Sequence, residues 1–328
     1  MERTILKKGD EIRVIAPSSS AKKLGDSMDL AKLKLESLGY KVTYGKNIFE
    51  MNEFMSSSIT SRVEDLHDAF LDKDVKLIMS AVGGFRANQL LPYIDYELIK
   101  NNPKLFCGYS DITVLHNAIY TQTGLITYLG PHFSSFAMKK GFDYTQKYFD
   151  LIFLQNQSFE IESSSHWSDE AWFMDQENRT FYETDGYQIL NEGEAEGVAI
   201  GGNLNTFNLL QGTKCMPSLK DKILVIEDTG ELYQDCSIYE FDRNLESLTQ
   251  CEDFKYVKGI VFGRHQICSN IGDDMFVRML KDKAALKNIP IIYNANIGHT
   301  TPLATIPIGG CIQLNAKRNK SSIYVKTF

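Results

Sequence analysis

Long apolar runs are missing from this chain of 328 residues. None approaches the roughly 20 residues that a membrane-spanning helix needs. The N-terminal stretch MERTILKKGDEIRVIAPSSS is an apolar patch broken by charges and does not have the form of a secretory leader. Cysteine is sparse: Cys107, Cys215, Cys236, Cys251, Cys268 and Cys311 include no C-x-x-C pair, and several lie inside apolar runs. That usage fits buried thiols in a reducing compartment better than a disulfide frame or a zinc site. Clusters of basic residues are missing too. With 35 basic against 42 acidic residues the net charge is −7, so no stripe for nucleic acid is present, although a single small anion is still accommodated. A cytoplasmic protein with neither a membrane nor a nucleic-acid partner is expected.

Cofactor signatures are also lacking. There is no metal-ligand spacing and no dinucleotide fingerprint with its later acidic residue, and the glycine turn IGGNLNTF (200–207) lacks the lysine and hydroxyl of a P-loop. The expectation is chemistry without metal or organic cofactor.

What is present is an ordinary soluble composition, 43% hydrophobic and 23% charged, over a length that favours two domains. Short apolar runs alternate with amphipathic stretches in the first half. DEIRVIAPSS, KVTYGKN, VKLIMSAVGG and PKLFCGYS read as strands, with DSMDLAKLKLESLGY and SITSRVEDLHDAFLD as helices between them. Strands separated by helices of this length predict a mostly parallel, doubly wound sheet, with ligands at the carboxyl ends of its strands. We assign residues 1–160 to this α/β domain. Residues 161–192, polar and aromatic and holding both tryptophans of the chain, Trp167 and Trp172, are expected to form a lid or linking loop. Residues 193–328 are expected to form a smaller, sheet-rich domain with helices near 204–211, 235–249 and 273–286.

Candidate chemistry sits at strand ends. In FCGYSDITVLHNA (106–118) a strand turns sharply into a helix at Ser110, where a hydroxyl stands either as a helix cap or as a nucleophile beside free backbone N–H groups. The hydrolase elbow would place a glycine where Ile112 stands, so the α/β-hydrolase fold is not supported. Of the six histidines, His299 differs: GHTTP presents it in a turn after the strand IPIIYNANI, a fitting place for a general base, or for a ring satisfied by turn backbone. The strand KILVIEDTG ends in Glu227 and Asp228. A carboxylate there must be paired, and an imidazole N–H would serve, with Asp228 competing for the role. Gly84 of the pair Gly83-Gly84, together with the Asp111 N–H, could form a two-donor oxyanion hole.

The order and spacing of GGF near 84, GYSD (108–111), GGNL (201–204), VIED and GHTTP (298–302) resemble the LD-carboxypeptidase family of serine peptidases, which includes the microcin C immunity hydrolases. The resemblance runs from VIAPSS (14–19) to IPIGG (306–310). It implies a Ser110-His299-Glu227 triad on a nucleophile-elbow α/β domain and a sheet-rich second domain, acyl-enzyme chemistry, and a cytoplasmic homodimer. Two substrate classes follow from it, aminoacyl-nucleotide conjugates in self-immunity or muropeptide tetrapeptides that lose D-alanine in murein recycling. The tryptophan-bearing loop resembles the immunity branch, with Trp172 expected to stack on a base and Asn203 to orient substrate. A non-catalytic small-ligand binding protein is the reading from another class.

Overall fold

Alternating strand and helix patterns assemble, in a computed structural model that describes residues 4–155, 157–230 and 237–327, around two sheets. The first half contributes β1 (Glu11–Ile15), β2 (Lys41–Tyr44), β3 (Val75–Ser80), β4 (Leu105–Gly108), β5 (Thr127–Leu129) and β6 (Phe159–Ile161). There follow β7 (His166–Trp167), β8 (Tyr182–Glu183), β9 (Gln188–Asn191), β10 (Gly193–Asn203), β11 (Lys222–Glu227), β12 (Gly259–Gly263), β13 (Ile291–Ala295), β14 (Ile306–Ile308), β15 (Cys311–Ala316) and β16 (Ser322–Thr327).

The first sheet has the order β14-β5-β4-β3-β1-β2, and its strands β1 to β5 are parallel. Such strands are covered on both faces and so read as continuous apolar runs; Val75, Leu77, Ile78 and Met79 of β3 are all fully buried. The second sheet has the order β6-β16-β15-β10-β11-β12-β13-β9, with a parallel centre from β10 to β13 and antiparallel flanks. The architecture is thus mixed α/β, a parallel-sheet N-terminal domain and a sheet-rich C-terminal domain. Helices start where the sequence supplies a cap: the Ser58 hydroxyl accepts the Ser61 N–H ahead of Ile59–Leu71, which buries Leu66, Ala69 and Phe70.

Each sheet borrows an edge strand from the far half of the chain. β14 lies antiparallel to β5 in the first sheet, Ile306 opposite Leu129, and β6 pairs with β16 in the second. Two buried apolar clusters each draw side chains from both sheets. The segment 161–192 is not one irregular loop, because it forms the hairpin β7-β8 and the edge strand β9 along β13. In the C-terminal half, helices span Leu204–Asn208, Ser237–Thr249 and Asp273–Asp282; the start expected at 235, like Cys236, lies outside the described residues. Cys107, Cys215 and Cys251 are free thiols. Among the described residues no helix is long and apolar enough to cross a membrane.

Candidate active site

Strand β4 ends at Gly108, and two residues later the chain reverses into the 3-10 turn Ser110–Ile112 and the helix Thr113–Thr123. Ser110 sits at φ +59°, a left-handed conformation that costs a non-glycine residue on the order of 1 kcal/mol or more and is kept only where surrounding packing enforces it. His116, one and a half turns on, is fully buried and holds the Gly108 carbonyl through Nε2 at 2.8 Å; burial pushes its pKa down to about 4. Gly83 makes the elbow sterically feasible, since a Cβ there would lie 2.9 Å from Ser110 Cβ.

The second half of the chain meets this elbow through Asn117. Its amide donates to the Gly201 carbonyl at 2.8 Å and accepts the Gly201 N–H at 3.1 Å, docking the helix against the end of β10. β10 runs in register with β11, Asn203 beside Glu227, so the docking fixes Glu227 relative to Ser110. His299 bridges them: Nε2 is 3.0 Å from Ser110 Oγ and Nδ1 is 2.6 Å from Glu227 Oε2. Glu227 is 2% exposed, and its Oε1 has no partner among the described residues. A carboxylate so placed holds the imidazole with Nδ1 protonated and Nε2 turned to the serine. Gly298, at φ +93°, lets the histidine turn pass so close that a Cβ would overlap Glu227 Oε2.

The aromatic segment is tied to the same turn. Ser168 and Thr301 exchange two backbone hydrogen bonds of 2.7 Å, and Gln176 Nε2 donates to the Ala137 carbonyl at 3.0 Å. Trp172 and Phe173 line the same cavity as His299.

The Asp111 side chain is itself engaged in the site's framework. The buried carboxylate accepts the Arg86 and Ala87 N–H groups at 2.8 Å each and the Ser18 hydroxyl, all on Oδ2. These bonds hold the backbone just beyond Gly83-Gly84, so the glycine pair and the elbow are braced by a single side chain. Arg62, buried and without a carboxylate partner among the described residues, donates to the Pro17 and Arg86 carbonyls and fixes the same loops from behind.

A cavity of about 410 Å³ opens over Ser110. Gly83, Gly84, Tyr109, Trp172, Phe173, Asn203 and Asp228 line it along with His299, and its only lysine, arginine, aspartate or glutamate side chains among the described residues are Lys23 and Asp228. Asn203 is engaged at both ends of its amide: Oδ1 caps the helix Leu204–Asn208 through the Thr206 N–H at 3.0 Å, and Nδ2 donates to Asp228 Oδ1 at 3.2 Å. The N-terminus of that helix is filled in part by its own cap. Burial, and next the charge of Glu227, push the Asp228 carboxyl up to about 7.

Sequence reasoning passed over His132, in the turn after β5. It is buried, its Nδ1 lies 2.6 Å from Ser80 Oγ, its ring packs on Tyr109 at 4.2 Å, and burial, reinforced by the neighbouring His299, holds it neutral. The strand-end rule that singled out His299 applies equally to GPHF. His67, His166 and His265 do not line the cavity. Among the described residues no three His, Cys, Asp or Glu side chains converge as a metal site would require.

Residues 12–130 match the LD-carboxypeptidase N-terminal domain and residues 196–314 match the LD-carboxypeptidase C-terminal domain. A Bacillus subtilis (strain 168) protein named "Putative carboxypeptidase YocD" is 53% identical over 98% of this chain and 98% of its own length. The crystal structure of an MccF-like protein from Bacillus anthracis str. Ames superposes with a TM-score of 0.98 at 51% identity, covering 99% of both chains. Microcin C7 self-immunity protein MccF in complex with aspartyl sulfamoyl adenosine superposes with a TM-score of 0.89 at 29% identity, covering 100% of this chain and 99% of the other.

Proposed function

The chain belongs to the LD-carboxypeptidase family of serine-type carboxypeptidases, and on that premise we propose that Ser110, His299 and Glu227 are its catalytic triad. The observation that carries this is the continuous contact from Ser110 Oγ to His299 at 3.0 Å and on to Glu227 at 2.6 Å, at the floor of a cavity of about 410 Å³. His299 Nε2 takes the Ser110 proton as Oγ attacks an amide carbonyl. The Gly84 and Asp111 N–H groups receive the oxyanion. Protonated His299 then delivers its proton to the leaving nitrogen, and water, activated by the same ring, releases the acyl group from Ser110.

The substrate on this reading is an aminoacyl-nucleotide conjugate of the microcin C kind, cleaved at the amide between the aminoacyl group and the nucleotide in a detoxifying or self-immunity role. Trp172 provides the stacking face for the base, a contact contributing on the order of 1–3 kcal/mol, and Asn203 orients the aminoacyl part. Support comes from Trp172 and Phe173 in the cavity wall and from the MccF complex with aspartyl sulfamoyl adenosine. The second reading, removal of the terminal D-alanine from muropeptide tetrapeptides, is favoured by the family description and by the relative named a carboxypeptidase. On either reading the protein works as a cytoplasmic homodimer, and the free thiols Cys107, Cys215 and Cys251 fit a reducing compartment.

A paired mass-spectrometric assay separates these. Wild type and Ser110→Ala are each given a muropeptide tetrapeptide and aspartyl sulfamoyl adenosine. Serine-dependent release of aspartate supports the first reading, serine-dependent loss of D-alanine alone the second, and turnover of neither returns the protein to the ligand-binding class.

A further inference from the structure

Asp228 is a carboxylate in the cavity that the proposed reaction does not use. It follows the triad acid Glu227 at the end of β11, lines the cavity together with Ser110 and His299, and is only partly exposed. Its Oδ1 accepts the Thr229 N–H at 2.8 Å and the Asn203 amide at 3.2 Å. Its Oδ2 takes no hydrogen bond from the described residues, and none of their lysines or arginines pairs with it. Removing a carboxylate from much of its water is costly unless cations or donors compensate it, and Oδ2 of Asp228 is not sealed off, so a ligand in the cavity can reach it. Among the described residues the cavity wall holds one lysine, Lys23, which is exposed and forms no ion pair with Asp228.

We infer that Asp228 is the subsite for a substrate ammonium group, selecting substrates that carry a free amine close to the carbonyl attacked by Ser110. The inference rests on the proposed reaction for the position of that carbonyl. An ammonium placed against Oδ2 would form a charge-assisted hydrogen bond in a partly desolvated site, where such bonds are stronger than at a surface. Asn203, bonded to both Asp228 and the helix behind it, holds the carboxylate in place and so acts as a positioning residue. The upward shift of the Asp228 carboxyl agrees with a site whose cation arrives with the ligand.

The test measures binding alone. Aspartyl sulfamoyl adenosine and its desamino analogue, in which hydrogen replaces the ammonium, are titrated calorimetrically into full-length Ser110→Ala and Ser110→Ala/Asp228→Asn. The expected result is a preference of about 10-fold or more for the amine when Asp228 is present, falling to about 2-fold or less in the Asp228→Asn protein. No preference in the parent, an equal preference in the variant, or failure of both ligands to bind would overturn the inference. Asp228→Ser, which also removes the charge, repeats the measurement if the asparagine variant does not fold. Since no turnover is required, an Asp228-dependent preference in a wild-type protein that hydrolyses nothing would sink the proposed reaction and leave this site standing. Serine-dependent hydrolysis without the preference would do the reverse.

Discussion

The carboxylate of Asp111 accepts the backbone N–H of Arg86 at 2.8 Å, so the residue following the candidate nucleophile holds the turn that follows the glycine pair. Three donors converge on its Oδ2, and each charge-assisted bond contributes roughly 1.5–3 kcal/mol. Asp111→Asn weakens all three and Asp111→Ala orphans them. We expect the alanine variant to unfold at clearly lower urea concentration. We expect the asparagine variant to remain folded and to lose kcat, by about 10-fold or more, with little change in KM, because the oxyanion donors shift while the cavity walls stay. A KM rise at constant kcat would refute the brace.

Replacing Glu227 by glutamine keeps the shape and removes the charge. The imidazole then loses the partner that fixes its tautomer and stabilises its protonated form, and kcat should fall by roughly 10³- to 10⁴-fold. Ser110→Ala should fall at least as far, and the double variant no further than the serine variant alone, since residues of one catalytic unit are not additive. Steady-state kinetics with released aspartate or D-alanine as the readout would check this, and additive losses would argue against a shared unit.

Trp172→Ala should raise the KM for an aminoacyl-nucleotide by about 10-fold while a muropeptide is affected less than about 3-fold, because only the former has a base to stack. Equal effects on both would mean that the indole packs the cavity wall and does not read the ligand. Phe173→Ala is the natural control, since its ring meets Trp172 edge-on at 5.8 Å.

Far from the site, Glu11 provides a pH dependence of stability. Burial alone would raise its pKa, but hydrogen bonds from Lys41, Thr43 and Arg13 outweigh that and hold it at about 2, below the ordinary 4.5. A group depressed on folding stabilises the protein above its unfolded pKa and loses that contribution as pH falls toward the folded value. Glu11→Gln should therefore lower Tm by a few degrees at pH 7, and the gap from wild type should close between about pH 4.5 and pH 2. Thermal melts across that window provide the check.

Much of the fold was legible because its signals are local. The apolar runs of β3 and β11, the Ser58 cap and the strand-to-helix turn at Ser110 are each written within a few residues. The strand-end rule put forward Ser110, His299 and the pair Glu227-Asp228, the family resemblance singled out Glu227, and Ser110, Glu227 and His299, 72 to 189 residues apart, meet in the structure. What stayed hidden depends on distant partners. The Asp111 carboxylate was passed over for its N–H because its acceptor role needs Arg86 and Ser18 in place. Asn203 was expected to orient substrate; besides capping its helix it bonds Asp228, a contact that could not be read locally because Asp228 lies at the end of another strand. Within 161–192 the polar composition masked strands whose partners lie on β13 and within the hairpin.

The exchanged edge strands bear on how the protein is made. A ribosome releases the first-half strands early, but the position beside β5 stays open until Ile306–Ile308 has emerged, and β6 waits for Ser322–Thr327. Neither half can finish during synthesis on its own, so the nascent N-terminal part would present an unpaired edge to chaperones for most of translation. The proposed triad would then assemble only after His299 and Ile306–Ile308 have emerged, and a product cut short before them would carry Ser110 without those partners.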